Sequence, residues 1–292
     1  MSKKHEPEKN AAESLAGSTR DAAAGNAHSP HMVWPGSKLV LADAPTAPPD
    51  DADKSDSKDA ADKLTERLIK LQERLYVDGR YAMLVIFQAM DAGGKDSTTR
   101  RVFAGVNPQG VRVSSFKVPS SLEQRHDHLW RIHAECPARG MIRIFNRSQY
   151  ENVVVERVEE ITPPERWQKR FDHINAFEKL LADEGTVVLK FFLHISKDEQ
   201  KERLQDRLDD PEKHWKFNPS DLDTRAKWAA YMEAYGEAIS RCSTPYAPWF
   251  VVPADKKWYR DMVVLRAIVE ALEALDLRYP PPADGLDKIT IP

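Results

Sequence analysis

The chain has 292 residues, a formal net charge of −3 and only two cysteines. This length is sufficient for one α/β domain, with or without an appended module, and two cysteines argue against a secreted disulfide scaffold. The nearly balanced charge provides no bulk attraction to nucleic acid or to a membrane surface. No apolar run reaches the roughly 18 residues of a membrane-spanning helix, and the N-terminus lacks the apolar region of a signal peptide. We therefore expect a cytoplasmic protein with neither nucleic acid nor membrane as a partner.

The N-terminal segment, residues 1 to about 60, is rich in Ala, Ser, Asp, Lys and Pro and has few large apolar residues. Such a segment buries too little surface to offset the entropy lost on ordering, so we expect it to be disordered. The short patch 31–35, which contains Trp34, is an exception, and its docking on the body is left open. The ordered domain is expected to cover residues 61–292.

Hydrophobic periodicity then predicts alternating helices and strands. A leucine stripe from Leu64 to Leu75 predicts a helix that ends at Gly79. Further helices are predicted after the first strand, near Glu165 and towards the C-terminus. Strands are predicted at 83–87, 111–116, 141–145, 187–195 and 249–252. This alternation indicates a parallel sheet covered on both faces, with ligands at the carboxyl ends of its strands.

A candidate phosphate-binding loop, QAMDAGGKD at 88–96, follows the first predicted strand and opens a helix. Backbone N–H groups and a lysine surround phosphate oxygens in loops of this layout. The pattern is altered at both ends, because Ala89 replaces the first glycine and Asp96 replaces the usual hydroxyl residue. Lys95 after two glycines is the strongest signal. The alternative is a tight strand-to-helix turn with a solvated lysine.

Asp91, inside this loop, has two interpretations. It caps the backbone amides of the loop, or it holds Mg²⁺ in place of the missing hydroxyl. We favour the metal because Ser97, the next hydroxyl, comes one residue late.

The stretch from Lys95 to Arg147 carries ten Lys and Arg residues against four Asp and Glu residues. It is either a solvated face or a groove for an extended polyanion, and the groove explains the excess better because each phosphate needs its own cation. After the third predicted strand, Asn146 is neutral, Arg147 is placed to clamp a phosphate, and Glu151 is placed to bind a metal through water.

Residues 198 to about 240 are interpreted as a helical lid. Arg203 and Arg207 are four residues apart and share one helix face, and Lys216 follows them. Lid arginines neutralise charge that develops on a transferring phosphoryl group. The alternative is surface pairing, since Glu199 precedes Arg203 by four residues.

The chain resembles the polyphosphate kinase 2 family. The motifs that carry the resemblance lie at 88–96, 106–110, 115–120, 126–131, 144–151, 215–217 and 245–258, and the similarity covers roughly residues 60 to 280. It implies a P-loop kinase-like, thymidylate-kinase-like three-layer α/β fold with a central parallel sheet and a helical lid. It also implies reversible, Mg²⁺-dependent transfer of the terminal phosphoryl group of inorganic polyphosphate to AMP or ADP, giving ADP or ATP. We expect a homo-oligomer, either a dimer or a tetramer.

Roles are carried over residue by residue. The expected catalytic residues are Asp91, Lys95, Arg147, Arg203 and Arg207. The expected phosphate- or nucleotide-binding residues are Met90, Ala92, Gly93, Gly94, Asp96, Ser97, Lys117, Arg131 and Lys216, and the expected metal ligands are Asp91 and Glu151. Asn146 departs from members with aspartate at this position and resembles the subgroup that accepts AMP as well as ADP. Two rivals stay open: an ATP-dependent nucleoside or nucleotide kinase, and a non-catalytic polyanion-binding protein.

Overall fold

The structure, a computed structural model, describes residues 15–23, 25, 29–286 and 289–291. Its centre is a six-stranded sheet in the order β1-β6-β5-β2-β4-β3. The strands are β1 (Met32–Val33), β2 (Ala82–Gln88), β3 (Val111–Ser115), β4 (Ile142–Asn146), β5 (Thr186–His194) and β6 (Trp249–Pro253). Strand β1 is antiparallel to β6, and all other neighbours are parallel. The five predicted strands are confirmed, with each end within one residue of the predicted one.

Helices cover both faces of the sheet. The α-helices are α1 (Lys54–Asp78), α2 (Lys95–Val102), α3 (Trp130–His133), α4 (Val155–Val158), α5 (Pro164–Asp183), α6 (Lys197–Asp209), α7 (Ser220–Ala226), α8 (Trp228–Cys242) and α9 (Lys257–Glu273). The 3₁₀ helices are Leu41–Asp43, Pro108–Gly110, Glu123–Arg125, Gln149–Asn152 and Pro211–Lys216. Helices α1, α2 and α9 pack on one face of the sheet, and α5 and α8 pack on the other. The predicted three-layer α/β architecture is therefore confirmed.

Helix α1 shows how local sequence sets the element boundaries. The Asp53 side chain accepts hydrogen bonds from the backbone N–H groups of Ser55 and Asp56, so it caps the helix. The helix ends at Gly79, whose φ of 67° is left-handed, as predicted for this terminator. It begins at Lys54, before residue 61, where the ordered domain was expected to begin.

Residues 29–60 pack on the domain, which corrects the expectation that they are disordered. The patch 31–35, whose docking the sequence left open, does dock: Met32 pairs with Phe250 and Val33 with Trp249 at the edge of the sheet. Leu41 is buried, and its carbonyl accepts a 3.0 Å hydrogen bond from Nε2 of His194. Periodicity did not reveal this docking because the buried residues are isolated among polar ones. Residues 1–14, 24 and 26–28, which the expectation also covered, lie outside the described residues.

The segment interpreted as a lid contains two kinds of structure. Helices α6 and α7 and the 3₁₀ helix between them are largely exposed. Helix α8 instead belongs to the core, since Ala234, Ala238 and Ile239 are each no more than 1 % exposed. The exposed part therefore ends before α8. No helix among the described residues is long and apolar enough to cross a bilayer.

Candidate active site

The loop between β2 and α2 is too tight for side chains at its glycines. A Cβ on Gly93 would lie 2.5 Å from the Cβ of Ala89 and 2.8 Å from the carbonyl oxygen of Met90. Gly94 has a φ of 100°, and Ala92 has a φ of 60°, a left-handed conformation that is uncommon for a residue with a side chain. The loop therefore turns sharply into the N-terminus of α2, where backbone N–H groups favour an anion.

Lys95 folds back over this loop. Its ammonium group donates a 3.0 Å hydrogen bond to the carbonyl oxygen of Ala89. Burial and the neighbouring Arg147 lower the pKa of Lys95 from its ordinary value. The carboxylates that oppose this shift are those of Asp91, Glu151 and Asp96. A partly buried ammonium beside a second cation favours a bound anion, which is the environment that a phosphate-binding lysine needs.

Arg147 directly follows β4 and faces Asp91. Its Nη2 lies 3.5 Å from Oδ1 of Asp91. Four non-glycine residues in the described part of the chain have positive φ, and two of them, Ala92 and Arg147, lie at this site. Such conformations cost about 1–3 kcal/mol each and cluster at functional sites, so this loop geometry points to function.

Glu151 and Asp91 have the chemistry required to hold a divalent cation. The described residues contain no group of three or more His, Cys, Asp or Glu side chains placed to hold a metal. Mg²⁺ is commonly held by only one or two carboxylates together with water and substrate phosphate, so this pair fits it. Burial raises the pKa of Glu151, against the lowering effect of Arg147 and Lys95, so an additional cation would stabilise its charged form.

Asn146 and Asp96 meet at the rim of the loop. Nδ2 of Asn146, at the end of β4, donates a 2.5 Å hydrogen bond to Oδ1 of Asp96 in the first turn of α2. Ser97 turns its hydroxyl back to the carbonyl oxygen of Gly94, at 2.9 Å. The Ser97 hydroxyl, which lies one residue after the usual position, is therefore engaged by a backbone carbonyl group.

The two predicted lid arginines differ in their contacts. Arg203 donates to the carbonyl oxygens of Ala92, at 3.1 Å, and Ala254, at 2.6 Å, so it links the loop to the end of β6. Arg207 lies further along α6, and its Nη1 is 3.1 Å from Oδ2 of Asp221. Arg203 therefore holds the loop through backbone contacts, whereas Arg207 is paired with a side chain of the exposed segment.

Three predicted binding residues do not join this cluster. Nη1 of Arg131 donates a 2.8 Å hydrogen bond to the carbonyl oxygen of Lys117, and its guanidinium lies over the ring of Phe116. Lys117 is exposed beyond β3, and Lys216 is exposed with its Nζ over the ring of Trp215. No contact described for these three side chains reaches the loop.

Comparison with known proteins identifies the family. The sequence profile of polyphosphate kinase 2 (PPK2) matches residues 51–280. The chain belongs to the polyphosphate kinase 2 family. It is 57 % identical over 228 residues to the AMP/ADP-polyphosphate phosphotransferase of Meiothermus ruber, covering 78 % of this chain and 85 % of that protein. It is 46 % identical over 227 residues to the ADP-polyphosphate phosphotransferase of Rhodopseudomonas palustris, covering 74 % of this chain and 78 % of that protein.

Solved structures of polyphosphate kinase 2 proteins share the fold. The crystal structure of polyphosphate kinase 2 from Arthrobacter aurescens TC1 matches with a TM-score of 0.86 at 40 % identity, covering 89 % of this chain and 94 % of that one. The match, with the strand order above, confirms the expected P-loop kinase-like α/β fold.

One residue of this polyphosphate kinase 2 site was missed in the sequence. Arg260, in the first turn of α9, is 1 % exposed, and a Cβ on Gly94 would lie 2.3 Å from its Nη1. Its Nε and Nη2 donate to Oδ1 of Asp261, at 2.9 and 2.7 Å, whereas Nη1 has no hydrogen-bond partner among the described residues. The sequence signal that could have revealed it is the pair Arg260-Asp261 within an apolar helical stripe.

Proposed function

We propose that the protein transfers the terminal phosphoryl group of inorganic polyphosphate to AMP and to ADP, giving ADP and ATP, with Mg²⁺ as its metal. The observation that carries this proposal is the group formed by Lys95, Arg147 and Asp91 around the loop. The names of the Meiothermus and Rhodopseudomonas relatives support polyphosphate as donor and adenine nucleotides as acceptors. Asn146 and the Meiothermus relative support the use of AMP beside ADP.

The reaction breaks one phosphoanhydride bond, in the donor, and forms another, in the product nucleotide. A terminal phosphate oxygen of the acceptor forms a bond to the terminal phosphorus of the donor, and the bridging P–O bond of the donor breaks. The donor leaves one unit shorter, and it keeps the bridging oxygen and the electron pair. The acceptor oxygen is already ionised at neutral pH, so the site needs positioning and charge stabilisation rather than a strong general base.

Each residue of the cluster has a part in this scheme. The loop N–H groups and Lys95 bind the donor phosphates, and Arg147 offsets the charge on the transferring group. Arg203 keeps the loop in place through Ala92. Asp91 and Glu151 would hold the Mg²⁺, which, when bound, neutralises charge on phosphate oxygens.

Incubation with Mg²⁺, polyphosphate and either AMP or ADP tests the proposal, with ADP and ATP resolved by chromatography. We expect product from both acceptors and a loss of orders of magnitude in the Lys95→Ala variant, whose melting temperature should match the wild type. Near-normal ATP formation by that variant would contradict the role of Lys95. Failure of AMP alone would remove the dual-acceptor assignment.

The same assay separates the rival functions. Absence of product from either acceptor, with ATP consumed when a nucleoside is supplied, would favour an ATP-dependent kinase. Polyphosphate binding without turnover would favour a polyanion-binding protein. The homo-oligomer and the cytoplasmic location stay predictions, to be checked by light scattering and by cell fractionation.

A further inference from the structure

A fully buried ion pair lies between the sheet and α5, and the reaction scheme does not use it. Nζ of Lys190, on β5, is 2.5 Å from Oε2 of Glu178, on α5, and both side chains are 0 % exposed. Removing two charges from water costs roughly what their attraction returns, so a buried pair is weak evidence for stability. The functional meaning of such a pair lies in the groups that it holds in place.

The three N–H donors of Lys190 all have partners. They donate to Oε2 of Glu178, to the hydroxyl oxygen of Tyr150 at 2.9 Å and to the carbonyl oxygen of Cys242 at 2.6 Å. Oε1 of Glu178 accepts two further hydrogen bonds, from Nε2 of Gln149 at 2.9 Å and from the hydroxyl of Tyr150 at 2.8 Å. A buried network with its donors satisfied in this way fixes one arrangement of its members.

The two residues that Glu178 holds directly precede Glu151 in the chain. The four-residue 3₁₀ helix Gln149–Asn152 has three buried members, whereas Glu151 is partly exposed. A 3₁₀ helix this short makes few hydrogen bonds of its own, so its orientation depends on the side chains that anchor it. The buried network therefore determines where the Glu151 carboxylate lies.

Both ends of this 3₁₀ helix are anchored as well. At its start, Oγ of Ser148 accepts a 3.1 Å hydrogen bond from Nε2 of Gln88, the last residue of β2. At its end, Nη1 of Arg170 donates a 2.8 Å hydrogen bond to the carbonyl oxygen of Asn152. Arg170 and Glu178 both belong to the buried side of α5. The short helix is thus held between β2 and α5 by contacts on either side of Glu151.

We propose that Glu178 and Lys190 are positioning residues for phosphoryl transfer, which fix the 3₁₀ helix Gln149–Asn152 and thereby place the Glu151 carboxylate at the metal site. This role rests on the proposed function, in which Glu151 is a ligand of Mg²⁺. Residues behind a metal ligand change the metal affinity when they are substituted, because they set the orientation of that ligand. The pair acts through Glu151 and carries out no chemical step itself.

Two double variants test this role, because they remove the same two charges and differ in one hydrogen-bond acceptor. Glu178→Gln/Lys190→Met keeps a side-chain oxygen for Gln149 and Tyr150, whereas Glu178→Leu/Lys190→Met removes it. At saturating ADP and polyphosphate, we expect the leucine variant to need about tenfold more free Mg²⁺ for half-maximal activity. The glutamine variant should stay near the wild-type value. A merely structural defect would lower kcat through the folded fraction and leave the half-maximal Mg²⁺ concentration unchanged.

Hydrogen–deuterium exchange, measured by mass spectrometry without metal, nucleotide or polyphosphate, tests the positioning independently of turnover. We expect faster exchange of the backbone amides of residues 149–154 in the leucine variant, with β2 and β6 protected as in the wild type. The glutamine variant should exchange like the wild type. If the leucine variant does not fold, Tyr150→Phe replaces it, since it removes one hydroxyl from the same network and should raise the Mg²⁺ requirement by a smaller factor.

Three results would overturn the proposal: a wild-type Mg²⁺ requirement in the leucine variant, an equal shift in both double variants, or unchanged exchange at residues 149–154. A wild type that transfers no phosphoryl group would overturn the proposed function. In that case the exchange measurement alone decides whether the network holds the helix that carries Glu151.

Discussion

Asn146 and Asp96, which are 50 residues apart in the chain, share a 2.5 Å hydrogen bond from the amide nitrogen to the carboxylate. Asp96 occupies the place where phosphate loops usually carry a hydroxyl, and its partner is neutral. A carboxylate at position 146 would put two negative charges at hydrogen-bond distance beside the phosphate site. The amide therefore donates to Asp96 without placing a second negative charge beside it.

The Asn146→Asp variant tests this relationship. Two carboxylates at this distance resist joint ionisation, and the added charge repels phosphate, so we expect kcat/KM for both acceptors to fall about tenfold or more. The Asp96→Asn/Asn146→Asp double variant restores one amide and one carboxylate and should recover most of the loss. Asn146→Ala removes the bond without adding charge and should have a smaller effect. A double variant no better than Asn146→Asp would contradict the pairing argument.

Substitution by lysine should affect stability at Arg203 and activity at Arg207. Lysine cannot reproduce the hydrogen bonds of Arg203 to Ala92, Ala254 and Glu199. We expect Arg203→Lys to lose about 2 kcal/mol of stability, or roughly 4–8 °C in Tm. Arg207→Lys should change Tm little and lower kcat. Thermal unfolding with steady-state kinetics measures both, and an unchanged Tm for Arg203→Lys would contradict its structural role.

Loss of Arg260 should lower the stability of the protein. It is 1 % exposed and paired with Asp261, so Arg260→Met leaves a buried carboxylate without its partner. Breaking such a pair from one side costs about 3–5 kcal/mol. Arg260→Met/Asp261→Asn removes both charges and should be less destabilised than Arg260→Met. Urea unfolding gives the comparison, and equal losses in the two variants would show that the pair is not coupled.

His128 should make the native state sensitive to acid. Burial, with smaller effects of Arg170 and His173, lowers the pKa of His128 from 6.5 to about 4. Between these two values the unfolded chain binds more protons than the native chain, so the free energy of unfolding falls as pH falls through this window. Between about pH 7 and pH 5, the Tm of the His128→Gln variant should fall less than the Tm of the wild type.

His126 provides the control for that experiment. It is exposed and stacks on Trp130 with ring centroids 4.2 Å apart. His126→Gln should retain the wild-type loss of Tm on acidification. If both variants lose as much as the wild type, His128 is not the responsible group.

Asp91 should determine the metal requirement. If it holds Mg²⁺ with Glu151, Asp91→Asn removes one of two charged ligands and should raise the Mg²⁺ concentration for half-maximal activity about tenfold or more. The alternative role, capping loop amides, would instead lower kcat at every Mg²⁺ concentration. A Mg²⁺ titration of turnover in both proteins distinguishes the two.

Much of the fold follows from local signals. Apolar runs predicted β2, β4, β5 and β6, because these strands are mostly buried, whereas the largely exposed β3 was predicted from its alternating pattern. Two glycines and Lys95 after the first of these strands identified the phosphate loop, because a tight strand-to-helix turn depends on neighbouring residues. The sequence by itself therefore determined the layer architecture, the loop and the family.

The partners within the site depend on contacts between distant parts of the chain. Arg260 lies 166 residues after Gly94 yet leaves no room there for a Cβ. Arg203, predicted as a lid arginine, binds carbonyl groups of two separate loops. Met32 and Val33, in the patch whose docking the sequence left open, complete one edge of the sheet. Only the tertiary structure decided these roles, because a long cationic or isolated apolar side chain takes its function from what folding brings within a few ångströms of it.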